Sequence, residues 1–363
     1  MSKFYRKLYA VHKWAGLISG IFILLFSITG TLLVFGEELD EGLNEEWREI
    51  QQKGDHILSL DSMYKIALAK FPDATAISWV NPESADGHET YEFRAYTNDG
   101  NVWTYDLGVV SMNPYTGEVY RAGKLNTLEG GLMNWIYQFH FSFQMGIPGA
   151  LFTGLFGISL VISALTGLLI YRKHLLRALL FRLPLRKRSF RILNSNWHRT
   201  IGVWSSLIAI IIFFTGFWLN LFVYEKETWE KNKHAVKGHV DYSGKFDSLY
   251  KAVLKEYPGF EAMAVRMPTQ KGKQVMIHGD LPEDGFFFKG ENQFAFDPVT
   301  GALHHKHLLG DMSAGEKLDA LAFPLHTGRF GPEWIKVLYV IFGLCPGLLS
   351  ITGFILWKRK YVN

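Results

Sequence analysis

Four long apolar runs and two long polar stretches alternate along the chain. The runs cover residues 14–35, 150–171, 201–223 and 335–357, and none has Asp, Glu or Arg in its middle. Each run is close to the roughly 20 residues that a helix needs to cross a bilayer. The pattern predicts four transmembrane helices. The first is expected to remain as an anchor, because it lacks a small-residue cleavage site.

The two polar stretches share an internal order of predicted elements. Residues 60–71 (LDSMYKIALAKF) and 246–257 (FDSLYKAVLKEY) have helical apolar spacing, and a proline follows each of them. Strands are predicted at 91–96 and 102–107 in the first stretch, and at 274–278 and 285–288 in the second. Similar turns follow, NPYTG at 113–117 and DPVTG at 297–301. Each stretch is therefore expected to form a module with one helix on a small antiparallel sheet.

The two halves of the chain repeat with an offset of 186 residues. The offset relates His12 to His198 and His140 to His326. It also holds for several small residues and prolines: Gly16/Gly202, Thr29/Thr215, Gly30/Gly216, Pro72/Pro258, Gly157/Gly343, Thr166/Thr352 and Gly167/Gly353. The pattern predicts a tandem duplication of a helix–module–helix unit, with a pseudo-two-fold axis along the membrane normal.

Charge predicts the orientation of the helices. Residues 172–199 contain nine Lys or Arg and no acid, and all 34 acidic residues of the chain fall in the two modules. By the positive-inside rule, both termini and this loop are cytoplasmic and the modules are extracytoplasmic. The basic residues thus indicate topology and not nucleic-acid binding. They are also suited to contact anionic lipid headgroups.

These patterns predict an α+β membrane protein with seven segments. They are residues 1–35 (cytoplasmic N-terminus and first helix), 36–148 (first module), 149–171 (second helix), 172–200 (basic cytoplasmic loop), 201–223 (third helix), 224–333 (second module) and 334–363 (fourth helix and cytoplasmic C-terminus).

The sequence lacks the motifs of several common classes of enzyme and cofactor site. Cys345 is the only cysteine, which excludes an intrachain disulfide and a cysteine-bound iron–sulfur cluster. The chain has no GxGxxG, Walker, GxSxG or HExxH motif. The cytoplasmic segments are too short to hold a flavin or nicotinamide domain. Any electrons that the protein uses must come from quinol in the bilayer or from an unknown donor.

The chain resembles the PepSY-associated transmembrane family. The resemblance rests on the module pattern xLDxxYxxAxxxFP with its D/N-P-x-T-G turn, on HxxxG at 12–16 and 198–202, and on Thr-Gly inside the helices. It implies PepSY-like modules between membrane helices. Some members resemble haem-containing reductases of ferric siderophores in the bacterial inner membrane. For this chain, that implies a periplasmic location of the modules and a ferric siderophore or another extracytoplasmic acceptor as substrate.

The four repeated histidines are the candidate ligands of one or two b-type haems. A two-fold axis makes His12 and His198 mates on the cytoplasmic side, and His140 and His326 mates on the outer side. Two imidazoles from facing helices can bind one haem iron from opposite sides. The alternative is that these histidines merely cap helices or mark the headgroup zone. His174, just inside the second helix, is an alternative inner ligand.

Three cations are candidates to pair with haem propionates: Lys13, Arg199 and Arg329. Lys13 and Arg199 are equally explained by the positive-inside rule, whereas Arg329 lies on the outer side. Glycines of the helices would admit a porphyrin or another helix. No CxxCH is present, so haem would bind non-covalently.

The remaining histidines are expected on solvated surface, His278 and the 304–307 group among them, and a metal site at 304–307 is not favoured. Trp79, Trp103 and Tyr105 are candidates either for substrate contact or for the module core. Residues 133–143 are amphipathic and are expected near the membrane interface, which would leave an outer haem close to solvent.

The predicted function is transmembrane electron transfer through haem, with reduction of ferric iron in a siderophore for iron uptake. A second hypothesis is a non-enzymatic scaffold whose modules bind or regulate a protein partner. A transporter is less favoured, because the four helices lack charged residues in their middles.

Overall fold

The computed structural model describes residues 2–50, 52–80, 89–96, 107–180, 182, 189–230, 245–268 and 273–361. The helices in these residues are α1 (Lys3–Val34), α2 (Gly36–Leu43), α3 (Leu60–Lys70), α4 (Leu132–Ser142), α5 (Ile147–Tyr171), α6 (Leu175–Leu179), α7 (Phe190–Leu219), α8 (Lys226–Trp229), α9 (Phe246–Glu256), α10 (Ala314–Ala320), α11 (Ala322–Thr327) and α12 (Trp334–Tyr361). The strands are β1 (Ala76–Val80), β2 (Tyr91–Tyr96), β3 (Gly108–Met112), β4 (Val119–Lys124), β5 (Glu261–Arg266), β6 (Val275–Asp280), β7 (Asn292–Phe296) and β8 (Leu303–His307).

Four helical segments are long and apolar enough to cross a membrane, as the sequence predicts. They are Lys3–Val34, Ile147–Leu179, Phe190–Leu219 and Trp334–Lys358. Two begin well before their apolar runs, because a serine caps each N-terminus. The Ser2 side chain accepts a hydrogen bond from the Tyr5 N–H, and Ser189 accepts one from the Ile192 N–H. The basic residues that follow these caps are therefore helical.

The chain folds into two compact units. We call Met1–Gly36, Phe139–Phe222 and Ala322–Asn363 the helical unit, and Glu37–Gln138 and Val223–Leu321 the sheet unit. In the helical unit, α1 packs against α5 and α12, and α7 packs against the same two helices and against α11.

Small residues allow these helices to approach closely. A Cβ added at Gly20 would lie 3.0 Å from the Ser350 hydroxyl, which donates a hydrogen bond to the Gly20 carbonyl at 2.7 Å. Gly202 likewise faces Leu349, at 3.7 Å from an added Cβ. These glycines serve helix packing, one of the two roles considered from the sequence.

The sheet unit contains one antiparallel sheet of eight described strands, in the order β4-β3-β2-β1-β5-β6-β7-β8. The two small sheets expected from the sequence are therefore joined, through β1 and β5. Trp79 lies opposite Val265 at the centre of this pairing. Their numbers differ by 186, so the two residues that face each other at the centre of the sheet are also counterparts in the repeat.

Helices α3 and α9 pack side by side on one face of this sheet. Tyr64 of α3 stacks on Phe246 of α9 with ring centroids 4.3 Å apart, and its hydroxyl donates to the Val265 carbonyl. Both rings are fully buried. Burial of a large apolar side chain contributes about 1.5–3 kcal/mol, so the contact between the two helices is a major part of this core.

The N-termini of α3 and α9 are capped reciprocally. Asp61 accepts hydrogen bonds from the N–H groups of Lys245 and Phe246, at 2.9 and 3.2 Å. Asp247, its counterpart at the 186-residue offset, accepts from the N–H groups of Leu60 and Asp61, at 3.1 and 3.4 Å. Each helix therefore supplies the carboxylate that satisfies the first N–H groups of the other.

Most of the predicted elements of the modules are confirmed to within two residues, with one clear error. The predicted strand at 285–288 is a turn, and the strand of this region is β7. Asp284 accepts a hydrogen bond from the Leu281 N–H at 2.7 Å and initiates the turn. Phe286 is 53% exposed. The prediction was wrong because it treated this apolar side chain as a buried strand position. Of the predicted strand at 102–107, residues 102–106 lie outside the described residues.

Candidate functional site

The structure brings the four repeated histidines together as two pairs in the helical unit. His12 of α1 lies beside His198 of α7, with ring centroids 6.3 Å apart and ring planes at 79°. His140 of α4 lies beside His326 of α11, with centroids 6.2 Å apart and planes at 50°. Both pairs join one residue from each half of the chain, at an offset of 186.

The two pairs lie near opposite ends of α1. His12 is in the third turn of this helix, whereas His140 contacts Thr29 and Gly30, close to its end. Thr29 is 17 residues beyond His12. At a rise of 1.5 Å per residue, the two levels are about 26 Å apart along the helix. This is close to the roughly 30 Å of a hydrocarbon core.

Each histidine packs against a Thr-Gly dipeptide of another helix. The four combinations are His140 with Thr29-Gly30, His12 with Thr166-Gly167, His326 with Thr215-Gly216 and His198 with Thr352-Gly353. In the sequence, these dipeptides are part of the repeat and of the family resemblance, without any indication that they contact the histidines. Their fourfold recurrence, equal in number to the repeated histidines, was the signal that could have linked the two motifs.

Hydrogen bonds define which ring nitrogen of each histidine carries the proton. The Nδ1 atoms of His12 and His326 lie 2.9 and 2.8 Å from the carbonyl oxygens of Ser163 and Ile212. A carbonyl only accepts, so in both rings Nδ1–H is the donor and Nε2 carries the lone pair.

The other two histidines reach the same state through a threonine. Thr29 donates its hydroxyl hydrogen to the Leu25 carbonyl, so its oxygen accepts from Nδ1–H of His140 at 2.8 Å. Thr352 donates in the same way to Leu348 and accepts from His198 at 2.8 Å. An Nδ1–H anchored in this way, with Nε2 as the basic nitrogen, is typical of histidines that bind metal ions.

The glycines of the dipeptides make room for the imidazole rings. A Cβ added at Gly216 would lie 2.8 Å from Cε1 of His326, and one at Gly30 would lie 3.0 Å from Cε1 of His140. At Gly167 and Gly353 the distances to His12 and His198 are 3.1 and 3.3 Å. Alanine at these positions would push the ring away from the helix, most strongly at Gly216.

Burial keeps the His140–His326 pair neutral. Both rings are half-buried, and burial is the main cause that lowers the pKa of each. The pKa of His140 falls to about 3, with the adjacent His326 as the second cause. At neutral pH both imidazoles are therefore unprotonated.

The predicted cations differ in their surroundings. Arg329 is half-buried, and its guanidinium lies 3.9 Å from the Cβ position of Gly36, the first residue of α2. Lys13 is half-buried, with its ammonium 4.4 Å from the centre of the Trp14 ring. Arg199 is exposed and lies over the ring of Tyr171 at 5.6 Å.

The remaining candidates lie outside the two pairs. His174 is exposed, with its ring 5.3 Å from that of Tyr171, whereas His12 and His198 already face each other. Trp79 is 2% exposed and stacks on Tyr91, so it belongs to the sheet core. Trp103 and Tyr105 lie outside the described residues.

The histidines of the second module are divided between surface and interior. His278 was expected on solvated surface, and this is wrong: the side chain is half-buried, and burial, with Arg266 as second cause, lowers its pKa to about 4. His304 and His305 are exposed neighbours, with Nδ1 atoms 3.2 Å apart. Within the described ranges, no group of three or more His, Cys, Asp or Glu side chains is placed to hold a metal ion.

A comparison with protein families agrees with this architecture. The family model of the PepSY-associated TM region matches residues 9–360, which is essentially the whole chain. No curated protein is significantly similar to the chain. The matched range includes all four paired histidines and the four long apolar helices, except for the first turns of α1. The chain is therefore a membrane protein that belongs to the family of the PepSY-associated TM region.

Proposed function

We propose that this protein transfers electrons across a bacterial inner membrane through b-type haem and reduces ferric iron in an extracytoplasmic siderophore for iron uptake. The observation that carries the proposal is the presence of two histidine pairs. In each ring, Nδ1–H donates a hydrogen bond and Nε2 is left as the basic nitrogen. Fixed, neutral imidazoles about 6 Å apart at two levels of one helix bundle are costly features without a ligand.

The residues present fit a bis-histidine iron site. Two imidazoles that share one metal ion, at metal–nitrogen distances of about 2.0–2.1 Å, would have ring centroids about 6 Å apart. The observed separations are 6.3 Å for His12 and His198 and 6.2 Å for His140 and His326. When bound, haem would supply a one-electron Fe(III)/Fe(II) couple whose potential depends on the histidines that hold it.

Nearby cations would neutralise the haem carboxylates. Arg329 follows His326 by three residues and is half-buried. Its guanidinium suits a bidentate carboxylate better than a lysine ammonium does. Lys13 directly follows His12 and Arg199 directly follows His198, so these two cations would serve the His12–His198 pair.

The proposal also includes a tandem duplication, PepSY modules and an orientation in the membrane. The offset of 186 suggests a tandem duplication, and the two α+β segments correspond to PepSY modules. The basic loop and termini favour a cytoplasmic location, with the modules in the periplasm. The His12–His198 pair then lies near the cytoplasmic face and the His140–His326 pair near the outer face.

Reduction of the acceptor would release its iron. One electron converts Fe(III) to Fe(II), which hard oxygen ligands bind less tightly. A reduced sample of the purified protein mixed with a ferric siderophore should return to its oxidised spectrum and yield one Fe(II) per electron. If the reduced protein keeps its reduced spectrum in the presence of the ferric siderophore, the proposal would be limited to electron transfer.

The haem itself is tested by the reduced-minus-oxidised absorption spectrum of the purified protein, with haem counted per chain. We expect a low-spin b-type spectrum and two haems. His140→Ala and His12→Ala should each remove about half of the signal, because each breaks one pair. His174→Ala, an exposed histidine on the same unit, is the matched control and should retain the full signal. A colourless protein from haem-replete cells would contradict the proposal and favour the protein-binding scaffold.

A further inference from the structure

Strand β8 lies at one edge of the described sheet and carries a row of exposed polar side chains. Its sequence is LHHKH, and its first four residues, which include His304 and His305, are all exposed. The strand at the other described edge, β4, has the sequence VYRAGK and contains no histidine. The two adjacent histidines are therefore a feature of one edge only.

A β-bulge brings these two neighbouring rings together. In a regular strand, successive side chains point to opposite faces of the sheet. Here, the consecutive residues 296 and 295 of β7 pair with residues 303 and 305 of β8, so His304 is the extra residue of a bulge. Bulges redirect side chains, and the Nδ1 atoms of His304 and His305 lie only 3.2 Å apart. The sequence does not favour a metal site at 304–307, and the bulge changes that expectation.

The separation of the two nitrogens suits ligands of one tetrahedral metal ion. At metal–nitrogen distances of about 2.0–2.1 Å, two imidazole nitrogens are about 3.3 Å apart when the angle at the metal is tetrahedral. The same bonds give about 2.9 Å at the right angle of a square-planar ion, and about 4 Å for ligands on opposite sides of an ion. The observed 3.2 Å is nearest to the tetrahedral value.

The charged neighbours of the pair are held by other partners. The Lys306 ammonium lies 3.1 Å from Oε1 of Glu256 and 2.6 Å from Oη of Tyr257, at the end of α9. His307 pairs with Glu316 at 3.5 Å. The charge of Lys306 is therefore directed towards a carboxylate of α9, which reduces its repulsion of a cation at the histidine pair.

We propose that His304 and His305 bind a divalent transition-metal ion through their two Nδ1 atoms, with Zn²⁺ as the best geometric match. Imidazole is a good ligand for zinc, copper, nickel and iron, whereas Mg²⁺ and Ca²⁺ prefer oxygen. Before an ion binds, the Nδ1–H of one ring can donate to Nδ1 of the other. A change of tautomer moves this hydrogen to Nε2 and leaves both Nδ1 lone pairs for the metal, without loss of a proton.

The pair leaves part of the coordination shell open. A tetrahedral ion has four ligands, and in the described part of the chain no third His, Cys, Asp or Glu joins the pair. Structural zinc sites use four protein ligands, whereas sites that exchange ligands keep a position for water or another molecule. The geometry therefore indicates a reversible site that an outside ligand completes. It requires neither haem nor a siderophore, so it is independent of the proposed function.

The test is modification of individual histidines by diethyl pyrocarbonate in the purified full-length protein, measured by peptide mass spectrometry with and without Zn²⁺. A metal-bound imidazole has no free lone pair, so saturating Zn²⁺ should slow the modification of His304 and His305 by about fivefold or more. His56, an exposed histidine of the first half, is the internal control and should react at an unchanged rate. Mg²⁺ in place of Zn²⁺ should protect neither ring of the pair.

Variants of the strand show whether the two rings act together. His305→Gln removes one ligand, so Zn²⁺ should no longer slow the modification of His304. His307→Gln, at a position two residues further along β8, is the matched control and should retain the protection. The inference is overturned if Zn²⁺ leaves both rates unchanged in the protein of native sequence, or if it protects His304 equally well in His305→Gln.

Discussion

The two halves of the chain agree around the paired histidines and at the helix caps, and they differ in one polar cluster of the sheet unit. His12 and His198 face each other across the repeat, and Asp61 and Asp247 cap each other's helices. The Thr-Gly dipeptides that contact the histidines are also the same in both halves. At other positions the offset relates unlike residues, so the halves have kept the surroundings of the histidines and the two caps and have changed elsewhere.

The polar face of the sheet has the clearest difference. In the first half, the Arg121 guanidinium is 2% exposed and donates to Asp40 at 3.2 Å and to Glu92. Although burial alone would raise the pKa of Glu92, the adjacent Arg94 and Arg121 lower it. In the second half, His307 stands in the place of Arg121 and pairs with the exposed Glu316 at 3.5 Å. One half thus has a buried ionic cluster where the other has a surface pair.

Substitution of this arginine should give the largest effect. Arg121→Leu removes the cation that pairs with the buried Asp40 carboxylate and leaves Glu92 with Arg94, so we expect it to lower the free energy of unfolding by about 3–5 kcal/mol. His307→Leu, the matched control, should lower it by about 0–1 kcal/mol. Denaturant unfolding of the sheet unit in the purified protein, followed by tryptophan fluorescence, measures both. Equal losses would mean that the cluster is not the source of the difference.

His278 should make stability depend on pH. The unfolded chain protonates this histidine below about pH 6.5, and the folded protein does so only near pH 4. Stability is therefore complete above pH 6.5 and is lost as the pH falls towards 4, by about 2 kcal/mol after allowance for partial exposure. Melting temperatures of His278→Gln between pH 7.5 and 4.5 should fall less than those of the unmodified protein. His304→Gln, at an exposed position, should leave the slope unchanged.

The smallest expected effect is the difference in stability between variants that remove one or the other of the two reciprocal caps. Asp61→Ala removes the side-chain acceptor for the start of α9, whose own N-cap residue, Lys245, makes no side-chain bond. Asp247→Ala leaves α3 with the Ser59 cap, which accepts from the Ser62 N–H at 3.2 Å. We expect a loss of about 1–2 kcal/mol for Asp61→Ala and about half of that for Asp247→Ala. Equal melting temperatures for the two variants would show that Ser59 does not compensate.

Local pattern predicted the local elements, and the repeat predicted the histidine partners. The helices at 60–71 and 246–257 and the strand at 91–96 have clear periodicity, and each is found within one residue at either end. The join between the two modules was not visible, because β1 is almost uniformly buried and lacks an alternating pattern. Reciprocal capping could not be predicted from the sequence either. Asp61 and Asp247 have the pattern of acidic residues that stabilise the first turn of their own helix.

The candidate site was only partly accessible from sequence. The offset of 186 indicated which histidines would pair, but a Thr-Gly dipeptide by itself predicts no partner. His278 was misassigned because a polar sequence neighbourhood does not reveal what covers a strand from the rest of the fold.

The pairing of Trp79 with Val265 also has a consequence for biogenesis. Ribosomes add about 5–20 residues per second, so β1 waits about 10–40 seconds before β5 has been synthesised. During that time the first half-sheet presents β1 as an open edge, and the AISWV sequence of this strand carries no charge. Uncharged edges readily pair with other chains. Nascent copies on one messenger RNA must therefore be kept apart, by a chaperone or by spacing of the ribosomes.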